Sequence, residues 1–330
     1  MSVPVLTFFN NKGGVGKTTL TYHIAWMFHH LGLRVLVVDL DPQANLTAAF
    51  LTDSALEELW AASPAKTVFG ALEPLIDRLG DIRAAHVEDM DGLGLIPGDL
   101  DLSRFEDRLA LAWPACLDDN RANAQDGFRV TTAFFRMAKQ AADARGADIV
   151  LLDVGPNLGA LNRAALVAAD AVVVPVAADL FSLRGLRNLG PALREWRDGW
   201  CNRSQRPYAA GLALPTGAMK PIGYVVLQHA AKKANEPARA YGRFIEQFPK
   251  AFHEELLSSK APIGKDPDCL ALLRHFRSLL PLSLEARKPI FDLKAADGAI
   301  GSHAMTAKDA HEAFAQLALS IATRVGIPLP

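Results

Sequence analysis

Cysteine is scarce and scattered in this chain. Cys116, Cys201 and Cys269 are its only three, and no two form a C-x-x-C pair. That argues against a disulfide scaffold and against a structural zinc, and it fits a reducing cytoplasm. No run approaches the roughly 18 apolar residues that cross a bilayer, and the opening MSVPVLTFF carries no basic leader before its short apolar run. There is no internal repeat and no low-complexity tract. The nine histidines are spread along the chain without suggesting a small-molecule pocket. A soluble cytoplasmic protein is therefore expected.

What the chain does hold is apolar bulk. Half of its 330 residues are hydrophobic and 22% are charged, enough for a substantial core in one large α/β domain or two modest ones. The formal charge of -1 conceals a segregation. Between Asp53 and Asp126 there are 16 acidic and 6 basic residues, and between Arg184 and Lys250 there are 12 basic and 4 acidic. The basic stretch reads either as a surface for polyanions or as ordinary solvated helix faces.

Short apolar runs recur. VPVLTFF (3–9) is rich in β-formers and leads into a glycine loop. RVLVVDLD (34–41), DIVLLDV (148–154) and DAVVVPV (170–176) are nearly continuous, and IGYVVL (222–227) is a weaker copy. Such runs suit parallel strands buried on both faces. Helical patterns separate them, from about Thr18 to Leu31, where Gly32 stops the helix, and over 158–169. The alternation predicts an α/β fold, a mainly parallel twisted sheet with helices on both faces, as a single domain over 1–330. Segments 114–127 and 198–221 read as surface insertions. A last helix over about 306–325 puts Ala310, Phe314, Leu317, Ile321 and Val325 on one face, with Thr306 as its N-cap and Asp309 three residues on.

The most specific signal is NNKGGVGKTT, Asn10 to Thr19. A strand, a glycine loop and Lys-Thr opening a helix form the arrangement that holds a nucleotide's phosphates. Glycines let successive N–H groups turn inward on the anion, and the helix terminus adds partial positive charge. Gly13, Gly14, Val15, Gly16, Lys17, Thr18 and Thr19 are thus the candidate nucleotide-binding residues. Lys17 would reach the β- and γ-phosphates, and the Thr18 hydroxyl would bind Mg²⁺. The usual G-x-x-x-x-G-K-[ST] pattern has a glycine where Asn11 stands, and a second lysine, Lys12, opens the loop. Spacing alone leaves two readings for Lys12: a surface lysine serving solubility, or a charge supplied to the nucleotide of a facing subunit, as an arginine finger is. Asp39 and Asp41, at i and i+2, point the same way off the second strand, with Asp41 at the carboxyl end where ligands gather in open parallel sheets. They serve either the site or the capping of a strand end.

Taken together these motifs resemble the ParA/MinD group of P-loop ATPases, and within it the ParA-type partition ATPases. KGGVGKTT (12–19) resembles that group's deviant Walker A loop, and VLVVDLDPQANLT (35–47) its second motif, usually a strand ending D-x-D-P-Q-G-N. IVLLDVGPNLGALNRAALVAADAVVVPV (149–176) is similar to the Walker B strand, the next helix and the next strand. LLPLSLEARKPIFDLKAADGAIGSH (279–303) resembles the late segment that carries adenine contacts, which implies Pro281 near the base. The resemblance implies that Lys12 crosses an ATP-sandwich homodimer. It gives Lys17 and Thr18 the phosphates and Mg²⁺, and makes Asp153 the Walker B acid. Asp41 would position the attacking water, and Asp39 would support the metal's shell. The chain departs from the pattern at Gly155, before Pro156, at Ala44 in place of a glycine, and at Ala177 and Ala178, where many relatives carry glutamine or glutamate. These changes bear on switch geometry and hydrolysis rate.

ParA-type proteins bind DNA without sequence preference, and a partner stimulates their hydrolysis. The resemblance thus implies ATP and Mg²⁺ as cofactors, a ParB-like or cargo adaptor as partner, and nucleoid association. The basic stretch nominates Lys232, Lys233, Arg239 and Arg243 as phosphate contacts. With no helix-turn-helix segment ahead of the loop, operator recognition is not expected. MinD-like membrane positioning needs a terminal amphipathic helix with basic flanks, and 306–325 holds only Lys308 and Arg324. A cluster shared between subunits, as in the iron-protein relatives, has no suitable cysteine. A P-loop ligase or kinase would need a small co-substrate and turnover independent of DNA.

Overall fold

The computed structural model describes residues 3–227, 243–274, 276 and 278–329. Among the described residues, eight strands form one sheet in the order β3-β4-β2-β5-β1-β6-β7-β8. They are β1 (Val5–Phe8), β2 (Val35–Asp39), β3 (Glu88–Met90), β4 (Leu93–Ile96), β5 (Ile149–Asp153), β6 (Ala171–Ala177), β7 (Lys220–Leu227) and β8 (Cys269–Leu273). All neighbours run parallel except the β3–β4 hairpin at one edge.

The apolar runs are fully buried because helices cover both faces. Side chains alternate across a strand: Leu36 and Val38 join one core with Val150 and Leu152, while Val35 and Val37 join the other with Ile149 and Leu151. Helix α1 (Lys17–His30) lies on the second face. It carries His23, whose ring stacks on Phe314 of the last helix at 4.9 Å between centroids. Nε2 of that imidazole accepts from the Ile290 N–H (3.1 Å) and Nδ1 faces the Thr19 carbonyl (2.7 Å), so the ring must be neutral with its proton on Nδ1. Burial pushes its pKa down to about 4, which keeps it so.

Several expectations need correction. Segment 114–127 closes helix Phe105–Ala115, turns, and opens helix Arg121–Thr131; it is helical, with Cys116, Ala124 and Gly127 buried and its other residues exposed or half-buried. Its signal was masked by polar residues, among them Asn120, whose side chain caps the second helix by accepting from the Ala122 and Asn123 N–H groups. Segment 198–221 begins inside helix Leu180–Ser204 and ends in β7. The last helix spans Ser302–Val325, so Thr306 is not its N-cap: the Thr306 hydroxyl donates to the Ser302 carbonyl one turn back.

Helix Leu180–Ser204 is fixed by a close crossing at Gly190. A Cβ there would stand 2.0 Å from the Glu255 carbonyl oxygen, and Arg194 donates to that same carbonyl. Gly190→Ala should therefore destabilise the fold by about 1–3 kcal/mol, read as a lower midpoint in urea unfolding, despite alanine's better helix propensity.

Candidate functional site

The glycine loop links β1 to α1 at the carboxyl end of the sheet, between β5 and β6. Gly14 and Gly16 adopt φ of 71° and 78°, conformations closed to most side chains. A Cβ on Gly14 would meet nothing within 4 Å, so that backbone faces open space, as a phosphate cradle requires. The loop is pinned on the other side. The Asn10 amide donates to the Pro175 carbonyl (2.8 Å), and its Oδ1 accepts from the Lys12 N–H (3.0 Å). Gly185 makes room, since a Cβ there would lie 2.7 Å from Asn10 Oδ1.

Lys17 is buried, and its ammonium donates to the carbonyls of Asn10 (3.1 Å) and Lys12 (3.3 Å). Burial lowers its pKa, opposed by Asp153 and Asp41. The Thr18 hydroxyl donates to Asp153 Oδ2 (2.8 Å) and the Thr21 hydroxyl to Oδ1 (3.3 Å). Asp153 and Asp39 sit opposite each other in the β5–β2 register, both fully buried. Burial raises both pKa values, and each carboxylate repels its neighbours. Asp39 Oδ2 accepts from the Thr47 N–H and hydroxyl (2.9 and 2.7 Å), and its Oδ1 from the Asp41 N–H (3.2 Å). Two buried carboxylates, a threonine hydroxyl and a buried lysine at an open glycine loop form a donor set suited to a divalent cation and phosphate oxygens.

Asp41 lies just beyond β2, with Oδ1 accepting from the Gln43 N–H (3.0 Å). A Cβ on Gly155 would stand 3.4 Å from that oxygen, so this glycine leaves Asp41 its room. Ala44 caps the next helix at φ 50°, a left-handed conformation that normally favours glycine. After β5, Glu106 binds the first N–H groups of helix Ala160–Ala168, from Ala160 (2.5 Å) and Leu161 (2.8 Å), and the Asn162 amide holds the Gly155 and Asn157 carbonyls.

The structure thus brings Gly13, Gly14, Val15, Gly16, Lys17, Thr18, Thr19, Asp39, Asp41 and Asp153 to one end of the sheet. Lys12 adds a contact that sequence reasoning missed. Its ammonium pairs with Asp179, which caps helix Leu180–Ser204 by accepting from the Ser182 N–H (2.8 Å). Burial works against ionisation of Asp179, but the bonds from Lys12 and Ser182 hold its carboxyl below its ordinary range. The partners are 167 residues apart, so no local pattern could announce them. Pro281 is exposed on helix Leu279–Ala286. Arg243 is exposed, and Lys232, Lys233 and Arg239 lie outside the described residues. Of the remaining basic stretch, Arg194, Arg197 and Arg203 are spent on backbone carbonyls, while Arg184 and Arg187 are exposed and make no ion pair among the described residues.

Comparison with known proteins finds a family model described as AAA domain, matching residues 3–204. The chromosome-partitioning ATPase Soj of Thermus thermophilus is 34% identical over 190 residues, 58% of this chain and 61% of that protein. A Corynebacterium diphtheriae protein of solved structure is 30% identical with a TM-score of 0.65, covering 86% of this chain and 97% of that one. A putative plasmid partition protein of Borrelia burgdorferi bound to AMPPNP shares the fold, at 18% identity and a TM-score of 0.59 over 96% and 99% of the two chains. The chain spans 39% to 62% of the length of the first curated relatives it matches. No described helix is long and apolar enough to cross a membrane.

Asp153→Asn should separate stability from binding. Removing one of two buried, mutually repelling carboxylates should stabilise the nucleotide-free fold by about 1 kcal/mol, or about 1–2 °C in melting temperature for a chain of this length. The same change should abolish the further rise on adding Mg²⁺ and nucleotide, measured by scanning calorimetry.

Proposed function

The chain belongs to the AAA domain family as a ParA-type P-loop ATPase, and from that premise we propose that it is a partition ATPase. It pairs on binding Mg²⁺ and ATP, holds DNA without sequence preference, and releases it after hydrolysis triggered by an adaptor protein. The cargo is a plasmid, a chromosome region or a protein assembly. The observation that carries the reading is the Lys17–Thr18–Asp153 constellation, with Lys17 and Asp153 buried, under an open glycine loop whose entrance holds a second lysine.

The residue types fit the roles. Thr18 and Asp153 would hold Mg²⁺, with Asp39 supporting its shell; bound there, the cation neutralises charge on the phosphate oxygens. Lys17 exchanges two loop carbonyls for the phosphates, a stronger, charge-assisted pairing. Asp41 orients the attacking water, and the Gln43 N–H and Gly155 keep its carboxylate free of other side chains. Lys12 leaves Asp179 and completes the triphosphate site of the facing subunit, so turnover is coupled to assembly.

Light scattering with a non-cleavable ATP analogue tests this. Wild type should double in mass. Lys17→Ala should lose nucleotide binding. Lys12→Ala should bind the analogue as a monomer and lose hydrolysis by about 100-fold or more. Asp41→Ala should bind ATP and stay dimeric. A wild-type mass unchanged by the analogue, or normal hydrolysis in Lys12→Ala, would overturn the reading.

DNA binding has its own check. Binding to an unrelated duplex, followed by fluorescence anisotropy with ATP, should fall steeply with salt. Replacing Lys232, Lys233, Arg239 and Arg243 together by alanine should flatten the log–log slope by about 3–4, near one per lost phosphate contact.

A further inference from the structure

Away from the phosphate loop, three side chains converge that the proposed ATPase does not use. His253 opens a single π-helical turn, His253–Leu257, and Asp266 and Asp268 lie in the segment leading into β8. His253 and Asp266 are buried and Asp268 partly so. His253 Nε2 is 3.1 Å from Asp266 Oδ1 and 3.3 Å from Asp268 Oδ2, and the three atoms lie within 4.8 Å of one another. A tetrahedral zinc with nitrogen and oxygen ligands at about 2.0–2.2 Å sets neighbouring ligand atoms about 3.3–3.5 Å apart, so small shifts would admit the ion.

The outer atoms of the same residues are already engaged. His253 Nδ1 meets the Ser259 hydroxyl (3.1 Å), which can accept the ring proton from Nδ1 when Nε2 binds a metal. Asp266 Oδ2 accepts from the Tyr224 hydroxyl of β7 (3.0 Å), and Asp268 Oδ1 from Arg324 of the last helix (2.6 Å). Asp266 Oδ1 also takes the Asp268 N–H (3.0 Å) and keeps a lone pair. Metal-binding histidines and carboxylates show this pattern, in which second partners orient each ligand.

We propose that His253, Asp266 and Asp268 bind one Zn²⁺, with water in the fourth position, and that the ion rivets the π-turn and the β8 approach to β7 and the last helix. A paired-cysteine search of the sequence could not find such a site, because its ligands are a histidine and two aspartates.

The test uses the full chain, stripped with chelator and then given Zn²⁺ in excess Mg²⁺. After desalting, wild type should retain one zinc per chain by mass spectrometry. Co²⁺ in its place should give the intense visible absorption of a tetrahedral site. Asp266→Asn and Asp268→Asn should each weaken zinc binding by about 100-fold or more, while Asp153→Asn should retain it. If Asp266→Asn fails to fold, the outcome is decided by the wild-type cobalt spectrum and by Asp268→Asn, whose side chain is nearer the surface. A wild type that keeps no zinc, or aspartate variants that bind it as tightly, would overturn the proposal and leave an imidazole–carboxylate hydrogen-bond cluster.

Discussion

Two carboxylates held side by side at the ends of β2 and β5 govern this structure. Asp39 and Asp153 are both fully buried and face each other across the strand pairing. Leaving even one such charge uncompensated costs several kcal/mol, against a net stability of about 5–15 kcal/mol for a whole domain. The surroundings answer with hydroxyls from Thr18, Thr21 and Thr47, the Asp41 and Thr47 amides, and the Lys17 ammonium nearby. The donors lower the cost without removing it, since the carboxyl pKa values remain raised. A site left in that condition takes up either a proton or a cation.

The loop geometry follows from the same requirement. Lys17 lies within electrostatic range of the carboxylates because α1 begins directly at the loop, and Gly16 permits that at φ 78° while bringing the backbone against Leu227 of β7. Asn10 ties the entrance to β6, and Gly185 lets helix Leu180–Ser204 approach that asparagine. Behind α1, a neutral His23 binds the Ile290 N–H, so the late segment is fastened to the phosphate helix through one imidazole. The loop is thereby in direct contact with β6 and with the start of the helix capped by Asp179, and α1 behind it with the segment around Ile290.

The legible part of the sequence was the part whose chemistry is local. Continuous apolar runs marked five of the six inner strands, all but β4, because burial on both faces leaves no alternation to confuse. The glycine loop was readable because φ above zero and a lysine at fixed spacing are needed together. β8 was not: CLALL is only partly buried at a sheet edge, and only its last residue, Leu273, is buried. The β3–β4 hairpin is a few residues long, with Asp91 and Gly92 in positive φ carrying its turn. Helix Phe105–Ala115 hid behind its acidic residues, one of which, Glu106, proves to cap the helix that follows β5. Contacts such as Lys12–Asp179 and Tyr224–Asp266 join residues far apart in the chain, and composition holds no trace of them.

The pairing of Lys12 with Asp179 shows how weakly a decisive charge can be held. Both side chains are partly exposed, at 26% and 36%, and an ion pair of that kind contributes about 0–1 kcal/mol. A hydrogen bond from an ammonium to a charged oxygen in a closed, drier interface is worth about 1.5–3 kcal/mol. On the proposed reading, triphosphate oxygens of a facing subunit are thus strong enough competitors to displace Asp179. The aspartate still matters while the chain is alone, because it is itself fixed by the Ser182 N–H at the start of a long helix. It holds the lysine against the start of that helix, at the mouth of the loop. If the proposed pairing holds, the order of events rests on position more than on strength, with the lysine already at the mouth of the loop.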